Sequence, residues 1–265
     1  MSELLQVPAL LPVPALLQVP EAARIFELFQ PFVPRPGVAF QAGGAGLLFG
    51  LAAGIAAVRA RTGPGLRVPD TRKIFHFLVF SGALGVHLLW GAPGTAVYGS
   101  VIAGMVFVSV LRGVDDPLFE SLARPTDAPR RGTFVVVPLL ATAVGGVASN
   151  LFWGDFATVG YLVAGWGDAI AEPVGTRWGK HRYRVPSFGG VSAERSLAGS
   201  AAVLVAGWLG AAAALSLLGI QGWRVVGVAA VCAVVATALE AVSHHGLDNL
   251  TLQVAASWTA AAFLP

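Results

Sequence analysis

The sequence predicts an all-α, polytopic membrane helix bundle of about eight transmembrane helices, with seven to nine compatible with the run lengths. Three observations predict it. Charged residues are 12% of the 265 residues and hydrophobic ones 55%, whereas a soluble domain carries roughly 25% charged residues. The apolar residues gather into runs near the about 20 residues that a helix needs to cross hydrocarbon. The cations fall in alternate connections between those runs, the pattern that sets membrane orientation. Mean hydropathy is accordingly high, at +0.72. A net charge of +3 spread through loops leaves no basic face for nucleic acid, so no such partner is expected. The single cysteine, Cys232, excludes an internal disulfide framework and reads as a core or lipid-facing residue.

Residues 1–36 read as an arm, and 37–265 as one transmembrane domain. The arm repeats Leu-Leu-Gln-Val-Pro at 4–8 and 16–20, and its prolines at 8, 12, 14 and 20 block a continuous helix. It lacks the basic start of a signal peptide. Glu21–Phe32 follows as a short amphipathic segment suited to the membrane interface.

Eight spans follow, roughly Val38–Val58, Ile74–Trp90, Thr95–Leu111, Thr133–Phe152, Phe156–Glu172, Leu197–Leu218, Trp223–Val242 and Leu247–Leu264. The second, third and fifth are short for a crossing. Glycines and alanines crowd Ala42–Ala53 in the first, a composition that favours close helix packing. Pro138 in the fourth is tolerated in a membrane helix, with a kink expected there. Arg59, Arg61, Arg67, Arg72 and Lys73 follow span one; Arg112, Arg124, Arg130 and Arg131 follow span three; Arg177, Lys180, Arg182, Arg184 and Arg195 follow span five. The other connections are short and nearly free of cations, Arg224 excepted. These loops, and by parity the turn 243–249, are expected on the cytoplasmic side of a bacterial-type membrane.

Four polar groups then fall on one face. Arg72 and His76 are four apart and share a helical face, either as a basic flank with a buried histidine bonded to a carbonyl, or as a phosphate clamp with a proton relay. Asp168 and Glu172 are likewise four apart at the end of span five and lead into Gly175, Gly179 and Lys180. Intramembrane acids are functional candidates by default. Carboxylates suit Mg²⁺, glycines let backbone approach phosphate, and a lysine neutralises it. The alternative is a structural ion pair to a nearby arginine. Arg195-Ser196 with Gly199 and Ser200 is either an anion cradle at a helix start or a plain serine cap. Glu240 with Asp248-Asn249 either completes a metal shell or caps the last helix. His87 reads as a satisfied core histidine, His244 and His245 as interfacial, and Asp115, Asp116 and Glu120 as a solvated charge cluster. Trp90, Trp153, Trp166, Trp178 and Trp223 fit an interfacial belt.

In order and approximate spacing, Arg72-Lys73-x-x-His76, Gly167-Asp168 with Gly175, Gly179 and Lys180, Arg195-Ser196-x-x-Gly199-Ser200, and Glu240 with Asp248-Asn249 resemble the polyprenol kinase family, over about residues 70–260. That family includes phytol kinase, dolichol kinase and the yeast-type diacylglycerol kinase. The resemblance implies transfer of phosphate from a nucleoside triphosphate, CTP in typical members, with a divalent cation such as Mg²⁺, to an isoprenoid alcohol such as phytol, geranylgeraniol or a polyprenol. It implies Asp168, Asp248, Lys180 and His76 as catalytic, and Arg72, Lys73, Gly175, Gly179, Lys180, Arg195, Ser196, Gly199 and Ser200 as phosphate-binding. Asp168, Glu172, Glu240, Asp248 and Asn249 are the implied metal ligands. Three features depart from the pattern: Arg195 stands for a usual lysine, Ala198 stands for a usual glutamate with Glu194, one residue before the motif, the nearest acid, and the segment after Asp248-Asn249 lacks the proline often found there. A CDP-lipid-forming cytidylyltransferase shares the nucleotide chemistry and is the alternative. A transporter would place ionisable groups near the midplane and show inverted repeats, which this sequence does not.

Overall fold

A computed structural model describes residues 26–264, in eight α-helices and one β-hairpin. The proline-rich repeat lies outside the described residues. The helices are α1 (Pro36–Thr62), α2 (Val68–Arg112), the short α3 (Pro117–Leu122), α4 (Thr133–Trp153), α5 (Ala157–Trp178), α6 (Leu197–Leu217), α7 (Trp223–Val242) and α8 (Asp248–Phe263). Two long stretches break inside. Gly91 adopts φ 63° and ψ −159°, which only glycine takes without strain, and splits α2 into two antiparallel-capable halves. A 3₁₀ turn at Gly154–Phe156 separates α4 from α5. The predicted spans therefore all exist as helices. Five stretches of the described residues (36–62, 68–115, 133–178, 197–217 and 223–242) are long and apolar enough to cross a membrane, two of them containing those breaks. At 16 residues, α8 is the shortest bundle helix, and its buried Asn249, Gln253, Ser257 and Thr259 turn a polar stripe inward.

Two of the three spans that looked short gain residues on the same side of the bundle. The second begins at Val68 rather than Ile74, and the fifth runs to Trp178 rather than Glu172. Pro173 does not stop α5, and Pro138 lies inside α4 with no non-helical residue beside it. Residues expected in loops, Arg72 and Gly175 among them, are thus helical.

At the centre stands α5, buried continuously from Ala157 to Gly165. Around it α6, α7, α8 and the first half of α2 form one apolar core. A second core joins α1 and α3 to α2. There the glycine and alanine stripe of α1 packs as its composition predicts: Ala42, Gly46, Gly50, Ala53 and Ala57 are buried, with Gly46 against Tyr98 and Val101 and Gly50 against Ile102 and Met105 of α2. Large apolar side chains such as Phe40, Leu89 and Leu111 point outward, as a hydrocarbon solvent requires.

The hairpin was not expected. β1 (Arg182–Val185) pairs antiparallel with β2 (Ala193–Ser196), Arg182 opposite Ser196 and Val185 opposite Ala193. Gly189 and Gly190, both at positive φ, turn the chain between them. β2 runs straight into α6, where Ser196 caps the helix by accepting from the Gly199 amide at 3.1 Å.

Candidate active site

The loops expected on one membrane face do converge. The start of α2, the segment after α3, the last turns of α5, the hairpin and the α7–α8 turn enclose a polar cleft of about 430 Å³. Its charged groups form two nearly separate pairings. On one side Lys73 Nζ lies 2.6 Å from Asp168 Oδ2 and 3.4 Å from Glu172 Oε2, with Lys73 only 5% exposed. On the other, Arg195 Nε lies 3.1 Å from Glu240 Oε1 and its Nη2 3.1 Å from Asp248 Oδ2. Ser200 donates to Glu240 at 3.2 Å and sits 2.8 Å from the Tyr183 hydroxyl. Two guanidinium nitrogens, Arg72 Nη1 and Arg195 Nη1, are buried without a partner among the described residues, and both arginines line the cleft. Buried donors of this kind are costly to leave unmade, and an anionic oxygen is the acceptor that suits them.

Beside the cleft lies an apolar cavity of about 320 Å³ between α2, α4, α5 and α8, walled by side chains such as Phe75, Val79, Phe80 and Leu139. Arg72 lines both spaces. His76 lines the cavity, and its Nε2 is 3.5 Å from Asp168 Oδ2 in the cleft and 3.4 Å from the Ala164 carbonyl. The carbonyl-bonded buried ring is thus the reading of His76 that is observed, and the same Nε2 is also the atom nearest Asp168.

Several expected roles are corrected. Lys180 is exposed and does not line the cleft, because α5 ends at Trp178 and an extended Gly179 carries the chain away. Gly175 and Gly179 form no flexible phosphate loop. A Cβ on Gly175 would stand 2.8 Å from Ser196 Oγ, and one on Gly179 would strike the same hydroxyl, so both glycines seat α5 against the start of α6. Gly199 faces Gly175 for the same reason. Ser196 lines the cleft and accepts the Gly199 amide as the α6 cap, which leaves its own hydrogen free to donate. The five-residue metal shell is not assembled: among the described residues no three His, Cys, Asp or Glu converge on a metal position. Asn249 lines the apolar cavity rather than the cleft, and Glu240 and Asp248 are held by Arg195. Glu194 lines the cleft, 44% exposed and turned to Arg182 at 3.9 Å.

Sequence reasoning missed a third polar knot. Arg124 bonds Asp127 through Nε at 3.1 Å, Glu172 through Nη1 at 3.0 Å, and reaches His245 Nε2 at 2.9 Å. Burial opposes charge on Arg124, but Glu172 and Asp127 outweigh it and hold the guanidinium more firmly protonated than usual. Burial alone would raise the Asp127 carboxyl, yet His245 and Arg124 beside it bring it below the ordinary range. His245 is therefore part of the cleft wall and not interfacial. Arg177 and buried Asp70 form a further pair at 2.6 Å. Asp116 is no solvated acid either: it is buried and caps α3 through the Leu118 and Phe119 amides. Glu120 pairs with Arg131 at 2.9 Å. His87 is a satisfied core histidine, with Asp155 at 3.2 Å and Thr95 at 3.4 Å. Trp166 is half-buried at the edge of the core, stacked on Phe77 and donating to Ser81 at 3.0 Å.

The chain is similar to a phytol kinase from Synechocystis sp. (strain ATCC 27184 / PCC 6803 / Kazusa), with 34% identity over 185 residues, 69% of this chain and 74% of the relative. The chain belongs to the polyprenol (phytol) kinase family. No protein-family model matches it, and no solved structure does. In this polyprenol kinase family member the arginine at 195 answers two carboxylates at once, from α7 and α8, which a lysine's single ammonium does with less fixed geometry.

Proposed function

We propose that the protein is a membrane-embedded lipid-alcohol kinase that transfers the terminal phosphate of a nucleoside triphosphate, CTP being the favoured donor, to an isoprenoid alcohol such as phytol, geranylgeraniol or a polyprenol. One observation carries the reading. A cation-lined cleft and an apolar cavity share Arg72, and the 3.5 Å approach of His76 to Asp168 bridges them. A kinase of this class needs that junction: polyphosphate on one side, an alkyl tail on the other, and the two reacting oxygens between. In this reading the cleft faces the cytoplasm, which the basic loops around it support through the positive-inside rule.

In this reading Arg72 and Arg195 hold the phosphates through their unpartnered Nη1 atoms. The alcohol oxygen attacks the terminal phosphorus, the bond from that phosphorus to the bridging oxygen breaks, and a nucleoside diphosphate leaves. Asp168 takes the alcohol proton; Lys73 and His76 both address its Oδ2, which leaves Oδ1 for that role. Little covalent chemistry is asked of the protein, since phosphoryl transfer depends on positioning and charge stabilisation. Mg²⁺ commonly binds through one or two carboxylates plus substrate phosphates. Asp168 and Glu172 have the right oxygen donors, but Lys73 and Arg124 hold three of their four oxygens, so a cation would bind there only in exchange for those pairings and would then neutralise charge on the transferring group.

The test is transfer of label from terminally labelled CTP, UTP, ATP and GTP to a panel of prenyl alcohols in membranes, with Asp168→Asn alongside. Phosphorylated alcohol and nucleoside diphosphate are expected, and loss of at least two orders of magnitude in the variant. Pyrophosphate with a CDP-lipid would establish the cytidylyltransferase instead, and full activity of Asp168→Asn would remove the acid from the mechanism.

A further inference from the structure

Two amide oxygens of cavity-lining residues are buried without a hydrogen-bond partner among the described residues, Asn150 Oδ1 in the last turn of α4 and Asn249 Oδ1 at the opposite, cleft-facing end. Asn249 is 4% exposed, lines the apolar cavity, and its Oδ1 is buried with no hydrogen-bond partner among the described residues. Its orientation is fixed by its neighbours. Thr142 Oγ1 donates to the Pro138 carbonyl at 2.8 Å, so toward Asn249 that hydroxyl can only accept. The Pro138 carbonyl is likewise an acceptor. Asn249 Nδ2 faces both, at 2.9 Å from Thr142 Oγ1 and 3.5 Å from Pro138 O. Turning the amide over would set oxygen against two acceptors, so nitrogen stays there and Oδ1 is directed away from them. The main chain is pinned as well, the Asn249 carbonyl accepting from Gln253 Nε2 at 2.7 Å.

This acceptor sits at the cleft end of the cavity. Asn249 lies in the first turn of α8, Pro138 in the second turn of α4 and His76 in the third turn of α2, all cavity-lining and all at the helix ends that border the polar cleft. An apolar space whose cleft end carries a rigid, unpaired acceptor fits a molecule with an alkyl body and one terminal hydrogen donor. A metal ligand would be expected among the cleft carboxylates, and Asn249 is not among the residues lining the cleft.

We propose that Asn249 Oδ1 accepts the hydrogen of the lipid alcohol's hydroxyl and so selects free alcohols over capped lipids of the same tail. The proposal rests on the lipid-alcohol reading above. The contact belongs to bound substrate: as the oxygen–phosphorus bond forms, that hydrogen leaves the alcohol oxygen for Asp168, so Asn249 acts on substrate affinity and not on the transferring group. A site built to bond a hydroxyl rejects the analogue that lacks one, because its own buried group is then left unpaired.

The experiment compares geranylgeraniol with its methyl ether, which keeps the tail and oxygen but has no hydrogen to donate. Binding to the full-length detergent-solubilised protein is measured by displacement of a fluorescent prenyl probe, and KM values for alcohol and nucleotide are measured in parallel. The wild type is expected to prefer the alcohol roughly tenfold to hundredfold, the range of one buried hydrogen bond left unmade. Asn249→Leu should abolish that preference and raise the alcohol KM, with kcat unchanged or higher because the contact is absent once the hydrogen has left, and with little change in the nucleotide KM. Thr142→Val, which frees the amide without removing it, should shift the same quantities in the same direction by less and covers the case of a poorly folded leucine variant. Equal binding of alcohol and ether by the wild type overturns the proposal, as does a rise in nucleotide KM with alcohol KM unchanged. An Asn249-dependent preference in a protein that phosphorylates no alcohol would leave the binding site standing and remove the kinase reading.

Discussion

Lys73 and Asp168, 95 residues apart in sequence, meet at 2.6 Å at the centre of the cleft, with Glu172 3.4 Å from the same ammonium. One buried cation thus serves two acids one helical turn apart. Such a pair brings little net stability over an apolar substitute, but breaking it by removing one partner is expensive. Lys73→Met should therefore lower stability by about 3–5 kcal/mol, with activity lost alongside. Adding Asp168→Asn to Lys73→Met should recover most of the melting temperature and none of the activity. Additive losses in the double variant would mean that the two residues are not coupled.

Arg195 offers a cleaner view of phosphate binding. Two of its nitrogens are committed to Glu240 and Asp248 and the third is unpaired. Arg195→Lys keeps the charge but cannot satisfy both acids and still present a donor. Loss of one charge-assisted hydrogen bond, about 1.5 kcal/mol, corresponds to a roughly tenfold rise in nucleotide KM. The alcohol KM should stay within experimental scatter. A lysine variant with wild-type nucleotide KM would assign Arg195 to structure alone.

Lys180 makes the opposite case. Its place after two glycines suggested a phosphate clamp, yet it is exposed beyond the end of α5. Lys180→Ala should leave kcat and both KM values within about twofold, as for an exposed residue remote from the site. A tenfold or larger loss would bring Lys180 itself to the cleft, which Arg182 two residues on already lines.

What the sequence made legible was whatever depends on runs and parity. Eight apolar runs became helices, and four polar groups on one predicted side met in one cleft. What it hid depends on pairings across long separations. Nothing local ties Arg124 to Glu172, 48 residues on, or to His245, 121 residues on. The hairpin was concealed because basic residues alternate with Tyr183 and Val185, so the strand period reads as a charged loop. The glycines misled for a physical reason: a missing Cβ serves a helix contact and a phosphate equally well, and only the neighbour at 2.8 Å from Gly175 decides between them.

The Arg124 knot predicts a pH dependence. The Asp127 carboxyl is held below its ordinary value in the folded protein, so its contribution is complete above the unfolded value of about 3.9. That contribution is lost as pH falls through the lower folded value. Asp127→Asn should melt at a lower temperature than wild type near neutral pH, and the gap should close on acidification below about pH 4. Melting curves of both proteins across that range, in one detergent, test it; a gap that widens in acid would contradict the sign.

The contact between α5 and α6 can be tested with one methyl group. On Gly175 it would sit 2.8 Å from Ser196 Oγ, the atom that caps α6, and Gly199 closes the same junction from the other side. Helix α5 carries Asp168 and Glu172 and the residue before the cap is Arg195, so the junction fixes the spacing of the cleft's two charged walls. Gly175→Ala must displace either the hydroxyl, at about 1 kcal/mol for the cap, or the helix, which moves the acids away from Arg195. The expected result is a modest fall in melting temperature with a disproportionate fall in kcat. Gly85→Ala is the control, since a methyl there meets nothing within 4 Å and alanine is the better helix former by about 1 kcal/mol. Equal activity of the two variants would show that the close approach at Gly175 does not set the geometry of the site.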